Sequence, residues 1–331
     1  MLNIGILGLG HWGPNYVRVM AALEGVKVTW ACDKNPKQFD RIKNYPDIRK
    51  TSNMDDLIND ETLNAVVVVT PAATHFELAK TFLLSGKDVL AEKPLATTAQ
   101  ESEELCRIAQ KKNRILMVAH IFLYNAGIQK VKELIEDGEL GKLYYLKANR
   151  THLGLIRDDV NVAWDLAPHD ISIFNYFLGS SPQSVHAIGA CHLKGGKEDV
   201  AFINLTYPNN VVANIHVSWE DSNKERTITL VGSRARVVFN DLDNLEKVKL
   251  FKKGISVADD YDDFGEFQLH LRDGDIISPV LKEHEPLKGM CSHFIDCIRT
   301  RRVPLTDGKQ GHDVVTVMQE IQSALQSRPK E

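Results

Sequence analysis

The sequence predicts an α/β protein: an N-terminal doubly wound parallel sheet, then a C-terminal α/β domain built on a large, mostly antiparallel open sheet. Three observations carry this. At 331 residues the chain exceeds one ordinary core and fits two domains, placed at 1–120 and 121–331, with the last helix free to pack on the first domain. Up to about residue 120, short and continuously apolar runs alternate with helical patterns, as in a sheet covered on both faces. From about residue 140 the runs are longer and alternate apolar with polar, as strands with one solvated face do.

In order, "LNIGIL", "VKVTWAC", "NAVVVVT", "DVLAE" and "RILMVAH" read as the parallel strands, and "KLYYLKANRTHLG", "VAFINLTYP", "VVANIHVSWE", "RTITLVG" and "ARVVFND" as the strands of the second sheet. Turns such as "YPNN" and "VGSR" join the latter. The acidic stretch 252–285, with "ADDYDDFGE", reads as solvated loop and edge structure. "EPLKGMCSHFIDCIRT" and "QGHDVVTVMQEIQSAL" carry helical apolar spacing. No internal repeat or low-complexity linker interrupts this order.

Composition narrows the functional classes. A formal charge of −4 with scattered basic residues gives no drive toward phosphate backbones, so nucleic acid is not expected as a partner. The longest apolar runs, such as "AVVVV", are too short to span a bilayer, and no membrane association is expected. "MLNIGILGLG" lacks a basic n-region and reads as the start of a fold rather than a signal peptide. Five cysteines (Cys32, Cys106, Cys191, Cys291, Cys297) form no CxxC pair and are odd in number, which points to reduced thiols and the cytoplasm.

The first chemical signal is "GLGHWG". Gly8, Gly10 and Gly13 stand in the GxGxxG register between a strand and a helix, with His11 and Trp12 inside the loop. The first glycine permits the turn, the second lets backbone approach a pyrophosphate, and the third lets helix and strand pack closely. The second strand ends at Asp33, twenty positions after Gly13, where a carboxylate can accept hydrogen bonds from ribose hydroxyls. Together these predict a Rossmann dinucleotide site. Asp33 would repel a ribose 2′-phosphate, which favours NAD(H), with NADP(H) as the alternative because Lys34 is adjacent. Glycines serving only a packed turn are the competing reading.

Two further segments fall where parallel strands end, and ligands of such sheets bind beyond those ends. These are Thr70, Pro71 and His75 in "TPAATH", and Glu92, Lys93 and Pro94 in "EKPLA". Downstream, "WDLAPHD" places Asp165 and His169 four residues apart on one helical face, where the carboxylate can orient the imidazole. Asp165 is expected as the helix cap, with Pro168 in the first turn and Asp170 on another face. An N-cap aspartate beside a core histidine is the competing reading.

"GLGHWG", "TPAATH", "EKPLA", the Asp165/His169 pair and the closing "EPLKGMCSHFIDCIRTRRVPLTDGKQGHDVV" together resemble the Gfo/Idh/MocA family of NAD(P)-dependent oxidoreductases. The resemblance covers nearly the whole chain. It implies that Lys93 contacts nicotinamide ribose and substrate hydroxyl, and that His169 is the second catalytic group. Gly8, Gly10, His11, Trp12, Gly13, Asp33, Thr70, Pro71, His75, Glu92, Lys93, Pro94 and His120 are then expected along the cofactor. The chain departs from the family in "DDVNVAWDLAPHD", where a glycine-rich lead-in is common.

The expected chemistry is proton removal from a secondary alcohol coupled to hydride transfer, or the reverse. An imidazole near its reference pKa of about 6.5 suits the base, so His169 is assigned that role, Lys93 polarises the oxygen, and Asp165 holds His169. The opposite division between Lys93 and His169 remains open. "HLGLIRDDVNVAWDLAPHD" looks like the subset acting on nucleotide-linked sugars, such as UDP-N-acetylhexosamine or uronate 3-dehydrogenases. A sugar, nucleotide-sugar or polyol substrate is expected, met by Arg150, His152, Arg157, Asn161 and Trp164 beside Lys93 and His169. An NAD-dependent glycosidase working through transient oxidation, and a non-enzymatic NAD(H) sensor, are the alternatives. No recognised metal-ligand spacing is present. The β-rich second domain and the family habit imply a homodimer or homotetramer joined through sheet faces.

Overall fold

The computed structural model describes residues 1–154, 156–157, 160–193, 196–257, 269–282 and 284–327. The chain divides into two compact units. The first comprises Met1–Tyr124 and His284–Thr316, the second Asn125–Glu283 and Val317–Glu331.

The first unit opens with β1 (Leu2–Leu7), α1 (Gly13–Ala21), β2 (Val26–Cys32), β3 (Arg49–Thr51), α2 (Asp55–Ile58), β4 (Ala65–Val68), α3 (His75–Leu84), β5 (Asp88–Ala91), α4 (Ala99–Lys112) and β6 (Leu116–Val118). Its six strands are parallel in the order β3-β2-β1-β4-β5-β6, the doubly wound arrangement the sequence predicts. Continuous apolar strands are needed because both faces are covered: β4 and β5 are buried at all four positions. Val66, Val68, Val89 and Ala91 share one core cluster with Phe82 and Leu83 of α3 and Leu105 of α4. A Thr98/Glu101 capping box starts α4, satisfying helix-end donors that burial would otherwise strand.

The second unit contributes α5 (Ala126–Glu136), β7 (Leu143–Thr151), α6 (Val162–Leu178), β8 (Ser184–Ala190), β9 (Val200–Tyr207), β10 (Val211–Ser218), β11 (Glu225–Gly232), β12 (Arg236–Asn240), β13 (Val248–Phe251), β14 (Gly254–Val257), β15 (Leu269–Arg272) and β16 (Ile276–Ile277). Eight strands form one sheet ordered β16-β13-β12-β11-β7-β10-β9-β8, antiparallel except where β10 meets β7. Burial alternates along β9 and β10, and their inward residues pack on α6. That helix buries Ile171, Ile173 and Phe174 completely, each contributing about 1.5–3 kcal/mol. The other sheet face presents Tyr145, Ile188, Phe202 and Val212, with Phe202 stacked on His216 at 4.4 Å.

β8 is not among the expected strands. In the described part of 252–285, β14 pairs with β15 and β16 forms an edge of the large sheet, in keeping with the expected edge structure. "ADDYDDFGE" lies outside the described residues. Helices α7 (Pro286–Thr300) and α8 (Gly308–Gln326) close the chain. α7 packs on α1 in the first unit, and the division between units falls within α8. Among the described residues, no helix is long and apolar enough to cross a membrane.

Candidate functional site

In the first unit the expected residues gather at the carboxyl ends of β1, β2, β4, β5 and β6. The glycine loop shows why its first and third glycines are required. Gly8 has φ +91°, and a Cβ there would lie 2.6 Å from the Val69 carbonyl. At Gly13 a Cβ would come within 2.2 Å of the Gly8 carbonyl, whereas at Gly10 it would meet nothing within 4 Å. The loop is therefore shut on two sides and open at its middle glycine. Trp12 flanks α1 half exposed, its ring edge-on to His11 at 5.9 Å. Asp33 follows β2 directly; it accepts hydrogen bonds from the Leu9 and Asn35 N–H groups at 2.7 and 2.8 Å, tying the glycine loop to the second strand.

Beyond β4 and β5, His75 is buried with Nε2 2.8 Å from the Thr70 carbonyl and Nδ1 2.7 Å from the Pro94 carbonyl. It fixes the two loops against each other, while Thr74 donates to the Thr70 hydroxyl at 2.7 Å. The Lys93–Pro94 peptide is cis. Desolvation raises the Glu92 carboxyl above its ordinary pKa, and it is held by the Tyr16 hydroxyl at 2.7 Å and by the Lys93 N–H at 3.2 Å.

His120 is 1% exposed, and among the described residues neither ring nitrogen has a hydrogen-bond partner. Burial, reinforced by the Lys93 charge, pushes its pKa down to about 3. The folded state thus refuses a proton that an unfolded imidazole accepts near 6.5. The associated stabilisation is complete above about pH 6.5 and is lost as pH falls toward 3, at up to about 1.4 kcal/mol per pH unit. Urea unfolding between about pH 6 and 4 is expected to show a steeper loss for wild type than for His120→Gln. Equal slopes would remove this assignment.

In the second unit, α6 starts earlier than expected. Its N-cap is Asn161, whose side chain accepts from the Trp164 N–H at 3.0 Å, so Asp165 lies past the cap and Pro168 is inside the helix. The correction has a simple cause: both Asn161 and Asp165 are good caps, and Val162 and Ala163 are buried and extend the helix to the earlier one. Asp165 and His169 keep their four-residue spacing. The Asp165 carboxylate accepts from Trp219 Nε1 at 3.2 Å and from Arg157 at 3.3 Å.

The expected substrate residues divide. Asn161 donates to Glu198 and Gln322 at 2.8 and 3.0 Å, and Trp164 Nε1 donates to the same Gln322 oxygen at 3.1 Å, so both brace the start of α6. Arg150 on β7 is buried, its guanidinium forked onto Asp170 at 2.9 and 2.8 Å; burial opposes its charge, but Asp170 more than offsets this and raises its pKa. That fork ties α6 to β7. His152, just after β7, differs: among the described residues its enclosed Nδ1 has no partner, and a Cβ on Gly154 would strike its ring at 2.4 Å.

Comparison with known proteins identifies the family. The description "Oxidoreductase family, NAD-binding Rossmann fold" matches residues 2–120, and "GFO/IDH/MocA C-terminal domain" matches residues 128–238. The chain belongs to the Gfo/Idh/MocA oxidoreductase family. An uncharacterized oxidoreductase of Streptococcus pneumoniae is 25% identical over 63% of this chain and 60% of its own length. The UDP-N-acetylglucosamine 3-dehydrogenase of Acidithiobacillus ferrooxidans is 24% identical over 98% of both chains, and a solved structure of it matches with a TM-score of 0.82 over 98% of this chain and 97% of that one. The WlbA dehydrogenase of Bordetella pertussis, solved with NADH and UDP-GlcNAcA, matches at 0.81 with 19% identity over 98% and 96%.

The nucleotide that this Gfo/Idh/MocA domain is named for fits the residues present. The open face of Gly10 leaves room for a pyrophosphate, and the two orphaned His120 nitrogens supply buried polarity that a ligand can satisfy. Several supporting residues escape sequence reasoning. Arg41 donates to the Gly10 carbonyl at 2.8 Å, Tyr16 holds Glu92, and Trp219 holds Asp165. Each acts from a distant part of the chain with no local pattern to announce it.

Proposed function

We propose that this Gfo/Idh/MocA oxidoreductase transfers hydride between NAD(H) and a secondary hydroxyl or ketone of a sugar or polyol, and that its substrate is a nucleotide-linked sugar. The observation that carries the reading is the glycine loop, shut at Gly8 and Gly13, open at Gly10 and tied to Asp33 at the end of the second strand. When bound, the nicotinamide supplies the hydride acceptor or donor. Lys93 donates a hydrogen bond to the reacting oxygen, His169 takes or returns its proton, and Asp165 keeps His169 oriented. His152 and Arg157 contact substrate. The likeness along 98% of a UDP-N-acetylglucosamine 3-dehydrogenase supports the nucleotide-sugar choice. Asp33 supports NAD(H) over NADP(H), since its carboxylate repels a 2′-phosphate.

The test is NADH formation at 340 nm with UDP-sugars, free sugars and inositols, offering NAD⁺ and NADP⁺ separately. Turnover is expected on a UDP-sugar and to favour NAD⁺. A protein that binds NAD⁺, yields no net NADH and cleaves a glycoside is instead the transient-oxidation glycosidase; one that binds NAD⁺ and turns over no substrate is a sensor.

Five free cysteines fit a reducing cytoplasm. The outward face bearing Tyr145, Ile188, Phe202 and Val212 fits a second copy of the chain in a homodimer or homotetramer. Phe202→Glu is expected to lower the mass seen by light scattering to that of the monomer. A monomeric wild type would remove the interface.

A further inference from the structure

One end of the large sheet carries a cluster separate from every residue discussed so far as a ligand contact. His192 follows β8, Asp199 precedes β9 and Glu220 follows β10. Ala190 pairs with Val200, and Val200 with Ser218, so antiparallel pairing brings the three flanking positions together. Asp199 is fixed from four directions. Its N–H donates to the Ala190 carbonyl at 3.0 Å, its carbonyl accepts from the Trp219 N–H at 3.0 Å, and Oδ2 accepts from the His192 and Leu193 N–H groups at 2.8 and 2.6 Å.

The remaining oxygen is the anomaly. Asp199 is 2% exposed, and among the described residues its Oδ1 has no hydrogen-bond donor although it lies 3.5 Å from His192 Nδ1. That same nitrogen is 3.0 Å from Glu220 Oε1, the nearer of the two carboxylates it faces. A buried carboxylate oxygen left unsatisfied costs free energy that a cation would recover.

We propose that His192, Asp199 and Glu220 bind a divalent transition-metal ion, of which Zn²⁺ is the representative. Ligand bonds of about 2.0–2.1 Å in a tetrahedral site hold donor atoms about 3.3–3.4 Å apart. The observed 3.0 and 3.5 Å bracket that edge, and all three ligand atoms lie within 4.8 Å of one another. One imidazole with two carboxylates favours a borderline ion over Mg²⁺ or Ca²⁺, which prefer oxygen alone. His192 is exposed, so the fourth position opens to water and the ion can enter. The ion braces Trp219, whose backbone meets Asp199 and whose indole holds Asp165.

The test uses the full chain, stripped with a chelator, dialysed and titrated with Zn²⁺ by calorimetry, with bound metal measured by mass spectrometry. One Zn²⁺ per chain is expected, together with a rise in melting temperature on loading. His192→Ala and Glu220→Gln, at partly exposed positions that the folded core does not need, should each weaken binding by at least about tenfold, since even indirect supports of a metal site cost 10–100-fold. Asp199→Asn should do the same while keeping its backbone ties. Affinity unchanged in the variants, or no uptake beyond that of His192→Ala/Glu220→Gln, would overturn the site and leave a hydrogen-bonded His–carboxylate pair. Tighter binding of Mg²⁺ or Ca²⁺ than of Zn²⁺ would overturn the choice of ion.

Discussion

Replacing His169 by alanine is expected to lower kcat about 10²- to 10⁴-fold, the range that a positioned acid or base contributes. Nucleotide affinity should stay at the wild-type value, because His169 belongs to the second unit while the glycine loop, Asp33 and His120 belong to the first. The rate of alcohol oxidation should also lose its dependence on a neutral base at low pH. Lys93→Ala is expected to act differently. It removes a cation that lowers the His120 pKa, so it should both slow turnover and let His120 titrate at a higher pH. Steady-state kinetics with a UDP-sugar, alongside nucleotide titration, separates the two. If His169→Ala keeps kcat within about tenfold of wild type, the proton passes elsewhere and Lys93 becomes the principal base.

The second large effect concerns stability. Arg150 and Asp170 are 7% and 1% exposed in their side chains and meet through two hydrogen bonds. Arg150→Met should destabilise the protein by about 3–5 kcal/mol, because it leaves Asp170 buried and unpaired. Arg150→Met/Asp170→Leu should recover most of that loss, since a buried pair replaced by apolar groups is often nearly neutral. Urea midpoints of the two variants decide this. The double variant should nevertheless turn over slowly: Asp170 is the residue after His169, and without the fork nothing sets the rotation of α6 against β7 as tightly. A single variant as stable as wild type would mean that Asp170 finds another partner.

Legibility in the sequence follows the range of the interaction. The glycine register, the twenty-residue step to Asp33 and the apolar runs of the parallel sheet are local patterns, and the fold class could be read from them. The i,i+4 spacing of Asp165 and His169 is equally local. What holds those residues is not. Glu92 depends on Tyr16, Asp165 on Trp219, and Asn161 and Trp164 on Gln322, partners that lie far along the chain. Arg150 reads as a substrate contact because its counter-ion is twenty residues away on another element. β8 went unseen because Ala187, Gly189 and Ala190 give an edge strand almost no apolar alternation. With β8 unseen, the meeting of His192, Asp199 and Glu220 had no visible basis.

The discontinuity of the first unit imposes an order of events on synthesis. The outer edge of β6 is closed by a later part of the chain: the Val118 N–H donates to the Thr306 carbonyl at 2.7 Å, and Met117 forms an antiparallel bridge with Asp307. At about 5–20 residues per second, a ribosome that has just made β6 needs roughly 10–40 s to reach the residues that cover it. Throughout that interval the nascent sheet carries an unpaired strand edge, the kind of edge on which another chain can pair.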